Sequence, residues 1–170
     1  MRQKLMLITG GAFVLLAVSV YGLRALLSGD HEPTIAELVD TANNASERGE
    51  RERAAVELGN RGPEALPHLR TLAQQSDSDE VRAAALYGLG MQWDFDSMDV
   101  LLNAMEDESP VVRSRAAGAV ARMLSRDRRF QAHGPETDRA MIVGFYRTDW
   151  EQLREAPYFE EYQTEVQKVE

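Results

Sequence analysis

The stretch VRSRAAGAVA at residues 112–121 decides the fold, because it is the third appearance of one pattern: VRAAALYGLG stands at 81–90 and ERERAAVELG at 50–59. The offset is 31 residues both times. It superposes Arg51, Arg82 and Arg113, then Ala54, Ala85 and Ala116, then Ala55, Leu86 and Ala117, and finally Leu58, Leu89 and Val120. A fixed period of this length marks a repeat architecture, in which each unit buries its apolar face against its neighbours. Between the copies lie second apolar segments: Leu66, Leu69, Leu72 and Ala73 in one, Met98, Leu101, Leu102 and Met105 in the next. Their three- and four-residue spacing describes helices. Each unit therefore reads as a helical hairpin, and the expected fold class is all-α: a short solenoid of about three hairpins closed by helical caps.

The connections agree. Arg61-Gly62-Pro63 puts a proline near the start of the first second-helix, and Asp94-Phe95-Asp96-Ser97 supplies cap residues for the next. Asp77-Ser78-Asp79 and Asp107-Glu108-Ser109-Pro110 cap the repeated helices, with Pro110 just inside its helix. No stretch alternates with a two-residue period between turns, so no strand is needed. With these residues in view, D-x-S-P-x-V-R-x-x-A from Asp107 to Ala116 and the looser D-S-D-E-V-R-A-A-A from Asp77 to Ala85 resemble HEAT repeats, most of all the bacterial HEAT-like subgroup. The resemblance covers residues 48 to 125. The first unit keeps Arg51 but lacks the preceding Asp-x-Pro and Val, as suits a terminal repeat adapted as a cap. The resemblance implies that Arg51, Arg82 and Arg113 form a structural ladder to inter-repeat acids or carbonyls. It also implies that the second helices line a concave face, so that His68, Arg70, Thr71, Gln74, Asp99, Asn103 and Glu106 are the first candidates for partner contact.

Outside the repeats, Ile35, Leu38, Val39, Ala42 and Ala45 describe an amphipathic helix opening at Thr34, and Ala140, Met141, Ile142, Phe145 and Tyr146 another after His133-Gly134-Pro135. Both are expected to cap the stack. In the tail, Phe159, Tyr162, Val166 and Val169 make a final acidic amphipathic helix that either packs back or recruits a partner. At the other end, residues 5–23 run 19 positions without a charge, about the length that crosses a ~30 Å hydrocarbon core. Arg2 and Lys4 outweigh Arg24, so the positive-inside rule sets the amino terminus in the cytoplasm and the repeats outside it, in the periplasm of a bacterium. A cleaved signal peptide ending near Ala17-Val18-Ser19 is the competing reading; the apolar run through Leu27 favours a retained anchor. The expected organisation is thus an anchor with its flank at 1–29, a linker at 30–33, a capped repeat domain at 34–147 and a tail helix at 148–170.

Charge narrows the partners. Three of the 19 basic residues, Arg2, Lys4 and Arg24, precede Asp30, which leaves 16 against 28 acidic ones and a formal charge of −12 on the remainder. Nucleic-acid binding needs a cationic footprint that releases counterions, and no basic stripe stands out, so nucleic acid is excluded as a partner. Anionic lipid is likewise a poor surface for the repeats themselves. With no cysteine there is no disulfide, thiolate metal site or cysteine nucleophile.

An enzyme requires a constellation, and none assembles. His31, His68 and His133 are isolated and lack metal-ligand spacing. Ser76-Asp77-Ser78-Asp79-Glu80 lacks the glycine bend and distal glutamate of a calcium loop and reads as helix capping. No phosphate-binding glycine loop occurs, and no cofactor or metal is expected. Trp93 and Phe95 fall in the turn between two helices, where they either close the hairpin's end or anchor a partner. Some members of the HEAT-like subgroup act as bilin lyases, yet no feature here handles a tetrapyrrole. The functional expectation is a membrane-anchored protein-interaction scaffold, held to the bilayer through residues 5–23. The alternatives are a self-associating structural subunit forming a homo-oligomer and, third, a lyase-type accessory subunit.

Overall fold

The computed structural model describes residues 32–168, and Thr34–Glu170 forms one compact unit. Of the other unit, Met1–Pro33, only Glu32 and Pro33 are described. In chain order the elements are α1 (Ile35–Asn44), α2 (Arg48–Gly59), α3 (Leu66–Gln75), α4 (Asp79–Met91), α5 (Met98–Ala104), α6 (Pro110–Met123), α7 (Glu136–Arg154) and α8 (Phe159–Val166). No strand occurs among the described residues.

Two helices, α1 and α4, begin where a side chain accepts from a free amide. Thr34 and Glu37 close a reciprocal box at α1: the Glu37 amide donates to the Thr34 hydroxyl at 3.3 Å and the Thr34 amide to the Glu37 carboxylate at 2.8 Å. The Ser78 hydroxyl accepts from the Val81 amide at the start of α4. At α6, Pro110 occupies the first turn, and Ser109 turns outward, donating its hydroxyl to Asp79 of the preceding unit at 3.0 Å. The residue expected to cap its own helix instead ties two helix starts together. Short 3-10 turns, Pro63–Ala65 and Phe95–Ser97, lead into α3 and α5. Each follows a residue with positive φ, Gly62 at 77° and Trp93 at 52°, separated by one 31-residue period.

The hairpins α2/α3, α4/α5 and α6/α7 stack into two layers. Neighbours in the first layer are α2, α4 and α6; neighbours in the second are α3, α5 and α7; α1 packs on α2. Leu58, Leu69, Leu86, Leu89, Met98, Leu101, Met105 and Val120 are fully buried in the core. First-layer helices meet through small residues. A Cβ on Gly88 would sit 3.0 Å from the Cα of Gly59, and one on Gly90 would sit 2.6 Å from the Cβ of Ala119. These two crossings are the same crossing, one period apart, since Gly59 maps to Gly90 and Gly88 to Ala119.

One expectation is overturned, and two features at the carboxyl-terminal end add to the sequence reading. The helix after Pro135 does more than cap: α7 packs beside α5 and is continuous across residues 147 and 148, where repeat domain and tail were divided. The tail packs back. Phe159, Tyr162 and Val166 of α8 lie against the core, and the Tyr162 hydroxyl donates to the Met123 carbonyl at 2.7 Å. No helix among the described residues is long and apolar enough to cross a membrane, which overturns the single-pass placement with repeats outside the cytoplasm. The longest described helix, α7, carries Glu136, Asp138, Arg139, Arg147, Asp149, Glu151 and Arg154. The stretch 5–23, on which the anchor was read, lies outside the described residues.

Gly90→Ala should destabilise the unit by about 1–3 kcal/mol, because the added methyl must push α6 away from α4. Gly144→Ala, in mid-α7 with open space around its Cβ position, should stabilise by about 1 kcal/mol through helix propensity alone. Urea denaturation of both variants, and recovery of part of the Gly90→Ala loss by adding Ala119→Gly, checks the crossing.

Candidate functional site

The residues singled out from the sequence separate in the structure into a set that holds the units together and a set that faces outward. Arg82 on α4 forks onto Asp107 with Nε and Nη2 both at 3.0 Å, and its Nη1 donates to the Ser76 carbonyl at 2.9 Å. Arg113 on α6 repeats the gesture one unit later: Nη1 donates to the Asp107 carbonyl at 2.6 Å, while Nε and Nη2 reach the Ala132 carbonyl at 2.8 and 2.6 Å. The backbone contact is periodic, six residues back in each case. Planar guanidinium suits this role, since two parallel donors fix both distance and orientation. Arg51 departs from the pattern. The position matching Asp107 one period earlier is Ser76, and Arg51 Nε has no hydrogen-bond partner among the described residues.

Arg70, expected as a contact residue on α3, belongs with the ladder. Its Nε donates to Asp94 Oδ2 at 2.9 Å and to Ser97 Oγ at 2.8 Å, and Nη2 donates to Asp94 Oδ1 at 2.6 Å. Asp94 is buried in the turn of the next hairpin, so this fork joins successive second-layer helices. Hydrogen bonding to Asp94 and to Asp107 raises the affinity of Arg70 and Arg82 for their protons, so both stay cationic. Phe95 packs inward. It is 5% exposed, with rings of Trp150, Phe159 and Tyr162 centred 6.2, 5.5 and 6.0 Å away, and so offers no surface to a partner. Trp93 is half-buried, with the Arg122 guanidinium 4.9 Å from its ring centroid, and its left-handed backbone costs about 1–2 kcal/mol that ring packing must offset.

The outward set remains His68, Thr71 and Gln74 on α3, Asp99 and Asn103 on α5, and Glu106 just beyond. All six are exposed and belong to the second layer. Asn103 accepts from Arg147 of α7 at 2.8 Å, and Glu106 lies 3.5 Å from the same guanidinium, so α7 covers part of this face. His133 is exposed in the loop before α7, and His31 lies outside the described residues. In the acidic run, Ser78 caps α4, Asp79 accepts from Ser109, and both Asp79 and Glu80 pair with Arg48. Among the described residues no group of three or more His, Cys, Asp or Glu could hold a metal ion.

Sequence reasoning missed the last charged cluster. Asp149 on α7 is 8% exposed and accepts from Arg128 Nη2 and Arg126 Nη1, each at 2.6 Å, while the Tyr146 hydroxyl accepts the Arg128 amide at 2.9 Å. The connection from α6 to α7 is thereby fastened to α7. Only the run Arg126-Asp127-Arg128-Arg129 before a long helix hinted at it. Hydrogen bonding from Arg128, and then from Arg126, holds the Asp149 carboxyl below the usual carboxylate range, while burial raises the Tyr146 phenol.

Stacked helical hairpins stitched by arginines define a helical repeat protein. The family model for HEAT repeats matches residues 35–121 and again 66–156, together more than half of the chain, and the chain belongs to that family. Its repeats commonly mediate protein–protein interaction, and its members are typically not enzymes. No curated protein matches the chain.

Asp149→Asn should lower stability by about 2 kcal/mol at pH 7, because two arginines lose the negative charge of their acceptor and one carboxylate oxygen becomes a donor. The native carboxyl titrates below its unfolded value, so its contribution is present above about pH 4 and fades as pH falls through the lower folded value. Chemical denaturation at pH 7 and near pH 3 should show the difference between wild type and Asp149→Asn shrinking in acid.

Proposed function

We propose that the chain is a protein-binding scaffold whose docking face is the second layer, centred on His68, Thr71 and Gln74 of α3 and Asp99 of α5. One observation carries this reading: these four exposed polar side chains share two adjacent helices whose half-buried arginine, Arg70, is already committed to Asp94. The face is thus rigid beneath and open above. Pre-organised surfaces of this kind lose little entropy on association, which favours binding by a modest number of contacts. Asn103 and Glu106 form its edge, where Arg147 partly occupies them.

A second reading, self-association, draws on α7, where Met141 and Phe145 are about half exposed one turn apart. A copy-to-copy contact there would bury both. The two readings differ in what a cross-linked pull-down recovers and in whether the melting temperature rises with protein concentration.

Combining His68→Ala, Gln74→Ala and Asp99→Ala should reduce partner capture at least about tenfold while leaving the melting temperature unchanged, as expected for loss of contact residues. Arg70→Ala should instead lower the melting temperature, because it orphans Asp94. Capture that survives the triple substitution, measured by quantitative mass spectrometry of the cross-linked complex, removes the second-layer face from consideration.

A further inference from the structure

The opposite layer carries a feature that the repeat pattern does not require. Between α4 and α6 the surface sinks into a cavity of about 360 Å³ lined by Tyr87, Met91, Ser114, Arg115, Gly118 and Arg122, with Gly90 and Ala119 on its floor. A second depression of about 490 Å³ shares Ser114, Gly118 and Arg122 with the first and continues towards Phe130 and Tyr146. Together they form an elongated groove across α6, with Gly118 at its middle.

Gly118 has no packing reason to be glycine. It lies well inside the 14-residue helix α6, where glycine costs about 1 kcal/mol relative to alanine, yet a Cβ there would meet nothing within 4 Å. Gly88 and Gly90, by contrast, stand against neighbouring backbone. The repeat supplies an internal comparison. One period earlier Gly118 corresponds to Tyr87, Arg115 to Ala84 and Arg122 to Met91. The matching interval between α2 and α4 therefore has a tyrosine where this one has open space, and no arginine where this one has two.

Charge points the same way. From Asp30 onward acidic residues outnumber basic ones 28 to 16, but α6 itself contains Arg113, Arg115 and Arg122 and no carboxylate. The cavity against α4 is lined by no carboxylate, and Asp127 is the acid at the far end of the second depression. Arg115 lies 5.5 Å from the Tyr87 ring centroid, with no ion pair among the described residues, and Arg122 lies over Trp93. The stacked Arg115 guanidinium is pre-positioned on Tyr87 yet keeps outward N–H donors for a carboxylate.

We propose that the groove between α4 and α6 docks an acidic peptide segment of a partner protein, with an apolar side chain seated on Gly118 and Ala119 and its carboxylates drawn to Arg115. Its length across two joined depressions suits a chain segment rather than a single small anion. The inference rests on the reading of the chain as a protein-binding scaffold but uses the other layer, so the two can fail separately.

The test is fluorescence anisotropy on the full chain with two labelled ten-residue peptides, one alternating glutamate with leucine and phenylalanine, the other carrying lysine for every glutamate. Saturable binding of the acidic peptide alone is expected, weakening as salt rises. Arg115→Glu should weaken it about tenfold or more, whereas Arg53→Glu, the same charge change at the matching position two units earlier, should not. Gly118→Ala should raise the melting temperature by about 3 °C and weaken binding, and Gly118→Leu should abolish it; a gain in stability with a loss of affinity is not what a structural role would give. No saturable binding of the acidic peptide, equal binding of the two peptides, or indifference to Arg115→Glu and Gly118→Leu overturns the proposal. Substituting His68, Gln74 and Asp99 should leave peptide binding intact, so a negative result here leaves partner capture by the second layer standing, and the reverse also holds.

Discussion

The closest approach in the first layer sets the geometry of everything stacked upon it. At Gly59 against Gly88, and again at Gly90 against Ala119, two helices touch with no room for a side chain larger than the one present. Helices that meet backbone to backbone fix the rise from unit to unit within a fraction of an ångström. The second layer then inherits its spacing, and the turns between layers are presented at a constant distance to whatever reaches across. Two residues per unit thus convert a 31-residue period in the sequence into a physical period in space.

The arginine forks depend on that regularity. Arg70 meets Asp94, and Arg82 meets Asp107, in the unit after its own, where a misplaced turn would leave a buried carboxylate without a partner. The fork from Arg113 finds a carbonyl instead of an acid, because the chain after α6 departs from the repeat and supplies Ala132. Arg126 and Arg128 then lash this departing connection to Asp149. An acidic protein accordingly spends much of its arginine internally, and Arg115 on α6 stands out against the remaining surface.

Much of this architecture was legible because it is periodic. A 31-residue offset, small residues at matched positions and cap-bearing turns were enough to place the hairpins, and Arg82 and Arg113 occupy matched positions in them. Contacts that skip the period were not legible. The pairing of Arg70 with Asp94 depends on how the turn after α4 bends, and that bend turns on a left-handed tryptophan that no propensity scale would place there. Phe95 was ambiguous because its covering rings, Trp150 and Phe159, lie more than fifty residues away in segments read separately. The continuity of α7 through 147 and 148 was hidden for a related reason: the helix passes from packing beside α5 to sealing the aromatic cluster without any break in the backbone.

That cluster also bears on how such a protein could change length over evolution. Repeat stacks lengthen readily by duplication of a hairpin, provided the new unit finds an open end on which to sit. Here Trp150, Phe159 and Tyr162 fold back from the chain's final helices onto Phe95, in the middle unit. An inserted hairpin after α6 would pull those rings away from their seat and uncover Phe95, so growth at that end demands a wholesale rebuilding of the closure. The repeat number is therefore locked from the carboxyl-terminal side by four aromatic rings, and lineages that gained units would have had to add them ahead of the residues those rings cover.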